Sequence, residues 1–297
     1  MQVIASQSHK MSQQLNFPVI TESVSHAEIT NASNLSDTTF VTNKTLPIHR
    51  WVPWIAGFSS SFVKDALKKH SHGGIVLDPF AGVGTTLLDS ILEGCQAIGF
   101  EINPYAALAC RVKTSFDKID LLEFATEILN FEKFYEEKIH SDYIPKSTVP
   151  LGFKTRHIFY SSLILRKVLI LQDFISSVEN EIIRDVFRLA FASNMIKFSN
   201  YSYEPSLGTR MGAGKEDLHD FPVGRLMVEK LNEIIADLKL VNTGRTSKYP
   251  QAQVINDTFF KYEHYLRPES IELIITSPPY LIIIIIIIEI LVPSYIG

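Results

Sequence analysis

Between Ile75 and Phe100 the apolar positions change period twice. Ile75-Val76-Leu77 is a continuous apolar run, suited to a short strand buried on both faces. Leu87, Leu88, Ile91 and Leu92 then recur at helical spacing, and Ala97 to Phe100 returns to a strand ending at the acid Glu101. Asp78 closes the first strand, Pro79 stops further ladder pairing, and Gly82 and Gly84 allow a tight turn that brings backbone close to a ligand. Thr85 and Thr86 are placed to cap the helix and Gly94 to stop it. The pattern predicts one strand–loop–helix–strand unit over Ile75 to Pro104.

The flanking chain divides by rhythm. Pro104 suits a first helical turn, and a helix follows over residues 104–113. Beyond Asp117 the strand signal disappears. Helical periodicity covers Ile119 to Ile139, His157 to Ile175, Val178 to Met195 and Gly224 to Leu240, the last with Met227, Leu231, Ile234 and Leu238 on one face. Strands return at Ala252 to Ile255 and Ile271 to Ile275. Residues 1–46 are rich in Ser, Thr, Asn and Gln and support one short strand, near Phe17 to Ile20. At Pro47 the character changes, and Trp51, Trp54 and Phe58 lead into a helix opening at Ser59 to Ser61. Four segments are therefore expected: a polar arm over 1–46, half of an α/β core over 47–116, a helical insertion over 117–249, and a core strand with the chain's tail over 250–297.

A glycine loop at a strand's C-terminal end, followed by an acid at the end of the next strand, is a nucleoside-binding layout, because a carboxylate accepts hydrogen bonds from both ribose hydroxyls. A dinucleotide fingerprint would need a third glycine where Leu87 stands, and a Walker A loop would need a lysine that this loop lacks. The stretch from Asp78 to Thr86, followed by Gly99-Phe100-Glu101-Ile102-Asn103-Pro104, instead resembles motifs I and II of the class I S-adenosylmethionine (AdoMet) methyltransferases. The resemblance implies a Rossmann-like α/β fold with AdoMet as cofactor, held by Asp78, Phe80, Ala81, Gly82, Gly84, Glu101 and Asn103. In DNA amino-methyltransferases of this type the segment before motif I helps hold the methionine end of AdoMet. The aromatic-led stretch from Pro47 resembles it, and cover for one sheet face is the plainer role for its helix. Asp257, at the end of the strand over Ala252 to Ile255, matches the acid that contacts the adenine amino group in the family, while an Asp that merely caps its own turn reads the same way.

Ser277-Pro278-Pro279-Tyr280 directly follows the strand ending at Ile275 and Thr276. It resembles motif IV of methyltransferases acting on exocyclic amino groups. An aromatic amine is a poor nucleophile because its lone pair is delocalised into the ring. Hydrogen bonds donated by the amine to the Ser277 hydroxyl and the Pro278 carbonyl would localise that pair for attack on the sulfonium methyl. Pro278 and Pro279 fix the backbone, and Tyr280 can stack on a base extruded from duplex DNA. Serine in the first position is typical of the cytosine-N4 branch; N6-adenine enzymes more often carry Asp or Asn. No Pro-Cys nucleophile of the C5-cytosine kind occurs, and neither a metal nor a covalent intermediate is required. Double-stranded DNA is the implied partner, with a cognate restriction endonuclease in the same system as a further one. Methylation of RNA or of a protein amide is a second enzyme reading, and a remnant that binds AdoMet or DNA without turnover is a third.

Between the last two helical segments lies a long glycine-containing loop carrying Lys197, Tyr203, Arg210 and Lys215, cations and an aromatic suited to phosphates and bases. A net charge of -4 over 297 residues neither advertises nor excludes a nucleic-acid binder, since a local basic face is what matters. Cys95 and Cys110 are the only cysteines and fall in or beside predicted helices, which argues against a disulfide framework. With no signal-peptide pattern and no apolar run of the ~20 residues that span a bilayer, a cytoplasmic location is expected.

The tail is anomalous. Seven isoleucines, Ile282 to Ile288, follow Leu281. Family members continue motif IV with Asn, Tyr, His and Asp, whose codons can read as isoleucine one base out of frame. A frameshift after Leu281 with early termination is therefore expected. On that expectation the sheet is incomplete on its C-terminal side, with the strand before Ser277 an exposed edge and activity weak or absent.

Overall fold

The computed structural model describes residues 19–21, 40–52, 59–151, 155–203, 207–243 and 248–277. These residues form two units. One draws on Met1–Asn43, Trp54–Thr114 and Lys248–Gly297, the other on Lys44–Pro53 and Ser115–Ser247.

The first unit is α/β. Its strands are β1 (Val19–Thr21), β2 (Ile75–Asp78), β3 (Gln96–Phe100), β6 (Ala252–Ile255) and β7 (Leu273–Thr276), in the spatial order β1-β7-β2-β3-β6. Every pairing among them is parallel. Helices α1 (Ser60–His70), α2 (Thr85–Leu92) and α3 (Pro104–Thr114) belong to the same unit. Successive residues of β2 face opposite sides, so both of its faces need cover. Val76 packs with Phe62, Val63, Ala66 and Leu67 of α1. Leu77 packs with Phe100, Ile255 and Phe259. This is why the apolar run of β2 is continuous rather than alternating.

The strand near Phe17 to Ile20 is present as β1, and its position corrects one expectation. β7 is not an exposed edge: β1 runs parallel along it, with Val19 opposite Ile274, Ile20 opposite Ile275 and Thr21 opposite Thr276. The paired backbone groups are the ones an edge strand would leave open. The isoleucine-rich tail lies outside the described residues, as do Trp54 and Phe58.

A second correction concerns caps. Thr85 and Thr86 do not cap α2; Gly84 is its N-cap in the left-handed conformation, without a side-chain bond. α1 begins as the serines predict, with the Ser59 hydroxyl accepting from the Phe62 amide, and Asn43 Oδ1 accepting from the Ser60 amide at 2.8 Å. Its opening amides thus have acceptors, and its apolar face covers the sheet.

The second unit contains α4 (Leu121–Ile139), α5 (Ser162–Ser177), α6 (Glu181–Asn194), the antiparallel hairpin of β4 (Tyr201–Tyr203) and β5 (Leu207–Thr209), and α7 (Val223–Asn242). Three helices start later than their apolar periodicity because Asp120, Ser161 and Asn180 each cap the helix that follows. Phe131 is the centre of the aromatic core, with ring centroids 5.3 Å from Phe174 and 5.9 Å from Phe187. Residues 44–53 belong to this unit rather than to the strands. Asp237 of α7, 1% exposed, accepts from the Ile48 amide at 2.9 Å, Arg50 Nε at 3.1 Å and Trp51 Nε1 at 3.0 Å. Trp51 is fully buried against this helix. Ile48 holds φ at 65°, a strained conformation for a β-branched residue, sustained by these bonds. No helix among the described residues is long and apolar enough to cross a membrane.

Candidate functional site

Because β2, β3, β6 and β7 are parallel, their C-terminal ends share one edge of the sheet, the edge at which open α/β sheets bind ligands. That edge carries Asp78 after β2, Glu101 after β3, Asn256 and Asp257 after β6, and Ser277 after β7.

Asp78 is buried, and its carboxylate accepts from the Phe80 amide at 3.1 Å. Burial pushes its pKa up to about 6; the nearby Thr86 and Thr276 hydroxyls and the Phe80 amide act in the opposite sense. Neither hydroxyl attains hydrogen-bonding geometry with any described residue, although both threonines are buried. Two orphaned donors beside a carboxyl that is costly to ionise are what a polar ligand group would satisfy.

The loop after Asp78 closes on itself. The Ala81 amide donates to Phe100 O at 2.9 Å and the Gly84 amide to Ala81 O at 2.8 Å. Gly82 and Gly84 hold φ at 51° and 80°, the left-handed region that disfavours side chains. A Cβ on Gly84 would lie 2.5 Å from Cys110 Sγ, so this glycine is also required by close approach to α3.

Glu101 staples the loop to the next turn: Oε2 accepts from the Gly82 amide at 2.9 Å and Oε1 from the Asn103 amide at 2.7 Å. Each oxygen keeps a second acceptor direction for a hydroxyl donor. The Asn103 side chain is spent as a cap, its Oδ1 accepting from the Tyr105 amide at 2.9 Å and the Ala106 amide at 3.4 Å.

Asp257 is saturated by its own turn. Lys261 Nζ reaches both carboxylate oxygens at 3.0 Å, the Thr258 amide donates at 2.7 Å and Tyr265 OH at 2.9 Å. The hydrogen bond from Lys261 is the largest influence holding its pKa below the usual range.

Two residues at this edge escape a sequence reading. Asn256 Nδ2 donates to Glu101 O at 2.8 Å, tying β6 to the acid. The Phe259 ring lies 6.5 Å from Phe80 and 5.3 Å, edge-on, from Phe100, so Phe80 and Phe259 together make an aromatic patch beside the glycine loop. Ser277 is half-buried immediately after β7, and Pro278, Pro279 and Tyr280 lie outside the described residues. Among the described residues no group of three His, Cys, Asp or Glu side chains is placed to hold a metal.

The four cation and aromatic candidates of the helical unit are only partly gathered. Tyr203, 56% exposed, ends β4, and Arg210 and Lys215 flank the turn that follows β5, joined by a bond from the Lys215 amide to Arg210 O at 2.8 Å. Arg210 Nε donates to Glu216 O at 2.8 Å. Buried Asn200 fastens the hairpin: its amide donates to Phe159 O, its Nδ2 to Ile158 O, and its carbonyl and Oδ1 accept from the Arg210 and Leu218 amides. Lys197 instead lies within electrostatic range of Lys230 on α7.

Residues 55–110 match the family model described as DNA methylase. The Type II methyltransferase M.BsoBI of Geobacillus stearothermophilus is 34% identical over 98 residues, 32% of this chain and 19% of that protein. M.MjaII of Methanocaldococcus jannaschii, also a Type II methyltransferase, is 32% identical over 33% of this chain and 19% of its own length. The Type II methyltransferase M.MvaI of Kocuria varians is 22% identical over 73% of this chain and 47% of its own. The chain thus spans less than half the length of each of these relatives. No solved structure matches it. The stretch matched by the family model contains the glycine loop and the acid that staples it, and there the chain is similar to DNA amino-methyltransferases of the N4-cytosine/N6-adenine class.

Proposed function

We propose that this chain carries the methyl-transfer site of a Type II DNA methyltransferase that modifies an exocyclic amino group, N4 of cytosine, with AdoMet as donor. One topological observation carries the reading. β7, which leads into Ser277, pairs in parallel with β2, which leads into the glycine loop, so motif IV and motif I start from adjacent strand ends. Methyltransferases of this family use AdoMet, and the residues at hand fit it: two left-handed glycines, an acid with spare acceptor directions and two orphaned buried hydroxyls.

When bound, AdoMet supplies an electrophilic methyl on a sulfonium. In this reading Glu101 accepts from the ribose hydroxyls, and Asp78 with the loop from Phe80 to Gly84 accommodates the methionine end. Asn103 serves by holding the turn beside Glu101. Asp257 can accept from the adenine amino group only after Lys261 or Tyr265 releases an oxygen. The Ser277 hydroxyl and Pro278 carbonyl accept from the target amine, Pro279 fixes the turn, and Tyr280 stacks on a flipped base. Tyr203, Arg210 and Lys215 contact duplex DNA, with Lys197 as a more distant phosphate contact.

Tritiated-methyl transfer onto DNA, RNA and protein, followed by nucleoside analysis of the DNA, tests this. N4-methylcytosine is the expected product. N6-methyladenine moves the chain to the other branch, and label confined to RNA or protein overturns the substrate. Binding of AdoMet or DNA with no transfer identifies a remnant.

A further inference from the structure

Lys113 of α3 is fully buried, yet its ammonium makes one described hydrogen bond, to the Val83 carbonyl at 2.8 Å. That acceptor lies in the glycine loop, not in a helix or a strand. One turn earlier on the same face, Cys110 presses against Gly84. The α3 wall therefore touches two consecutive loop residues, one by charge and one by shape. A carbonyl that bonds a buried ammonium points inward, and peptide planarity fixes the amide that follows it. That amide belongs to Gly84, which closes the turn onto Ala81 O, while Ala81 and Gly82 tie the turn to Phe100 and Glu101.

We propose that Lys113 is a positioning residue for cofactor binding, holding the Val83–Gly84 peptide so that the glycine turn is formed before AdoMet arrives. The proposal rests on the AdoMet reading for its ligand, but the loop geometry it names exists without one.

Burial pulls the Lys113 pKa down to about 8, opposed by Cys110 and Asp89. Burial also pushes the Cys110 thiol up to about 12, so it is neutral at physiological pH and Asp89 of α2 is the facing charge. Asp89 itself is engaged by Ser60 Oγ at 2.8 Å and Lys64 Nζ at 3.7 Å. An apolar side chain of similar length would fill the site without desolvating a charge.

The sequence supplies a direct probe. Labelling valine at the carbonyl carbon and glycine at nitrogen selects two Val–Gly pairs, Val83–Gly84 and Val223–Gly224, the second an internal control in the helical unit. In the full wild-type chain the Val83 carbonyl signal should titrate as pH passes about 8, with Val223 still. In Lys113→Met it should shift and lose that titration. AdoMet affinity per folded molecule should fall about tenfold. Lys113→Gln, which keeps a donor, should fall between. A Val83 signal that neither titrates in the wild type nor moves in the variants overturns the proposal. So does a variant that loses stability but keeps its affinity per folded molecule. If the wild type fails to bind AdoMet, the cofactor reading and this ligand assignment fall together, and the carbonyl titration alone decides whether Lys113 sets the loop.

Discussion

The Gly82 amide donates to Glu101 Oε2 at 2.9 Å, so the loop after one strand is held by the acid that ends the next. The same carboxylate is the proposed acceptor for ribose hydroxyls, and loop order and ligand binding should fail together when it is removed. Glu101→Ala is expected to lower AdoMet affinity about tenfold to a hundredfold, the loss of one or two hydrogen bonds to a charged group. Glu101→Gln, which keeps one acceptor, should lose less. Isothermal titration of the three proteins decides it; equal affinities would remove Glu101 from the site.

Asp78 has a pH signature of known sign. Its folded pKa, about 6, lies above the ordinary aspartate value of 3.8, so the fold favours the protonated form. Its stabilising contribution is complete below the unfolded pKa and is lost as pH rises through about 6. A shift of this size corresponds to about 3 kcal/mol at neutral pH. Asp78→Asn is neutral at every pH and should be more stable than the wild type at pH 7.5, by about 1–3 kcal/mol, with the difference vanishing near pH 4. Denaturant unfolding of both proteins across that range measures the difference directly. A variant less stable at pH 7.5 would show that the carboxylate is better solvated than its burial implies.

Gly84 combines two constraints that can be separated. Gly84→Ala places a Cβ 2.5 Å from Cys110 Sγ and forces a φ of 80° on an L side chain. The two terms should together cost about 2–4 kcal/mol. Adding Cys110→Ala removes the sulfur but not the dihedral penalty, nor the 3.2 Å approach to the Cys110 backbone. The double variant should therefore recover only part of the loss, with a non-zero coupling in the double-mutant cycle. Full recovery would mean that the left-handed conformation is not needed.

The β2–α2–β3 unit can be read from sequence because each change of apolar period there coincides with a proline or glycine. Helix starts are harder, since apolar periodicity runs straight through Ser161 and Asn180 while the cap decides where helical geometry begins. The partner of β1 is hidden because a short strand carries no mark of which distant strand it joins. Asp257 shows the limit at the site: an acid at a strand's end looks the same whether it faces a ligand or its own turn. Lys261 and Tyr265, four and eight residues on, are the only local signal for the second. Lys113 carries no local sequence mark of its burial, which comes from the packing of α3 against the loop.

Asp237 anchors the segment that carries Trp51, and its removal should be felt in the helical unit. Asp237→Ala leaves the Ile48 amide and the Trp51 indole without their acceptor and the Arg50 guanidinium without its partner. A loss of about 3 kcal/mol is expected, with Asp237→Asn costing less because it keeps one acceptor. Urea unfolding followed by tryptophan fluorescence, in a Trp54→Phe background that leaves Trp51 as the sole tryptophan, gives both the midpoint and the solvent exposure of the indole. Unchanged emission in the alanine variant would mean that packing alone holds Trp51.

The hairpin prediction separates electrostatic contact from fold. Lys215 follows the left-handed Gly214 and Arg210 precedes the same turn, so both cations leave one rigid corner fastened by Asn200. A lysine that meets a phosphate releases a condensed counterion, so Lys215→Gln should lower the slope of log affinity against log salt by about one. Arg210→Gln should do the same and also loosen the turn, because Arg210 Nε bonds Glu216 O. Tyr203→Ala should weaken DNA binding without changing the salt slope, since stacking displaces no counterion. Fluorescence anisotropy with duplex DNA at several salt concentrations reads all three. A Lys215→Gln protein with wild-type affinity and slope would take the hairpin off the DNA.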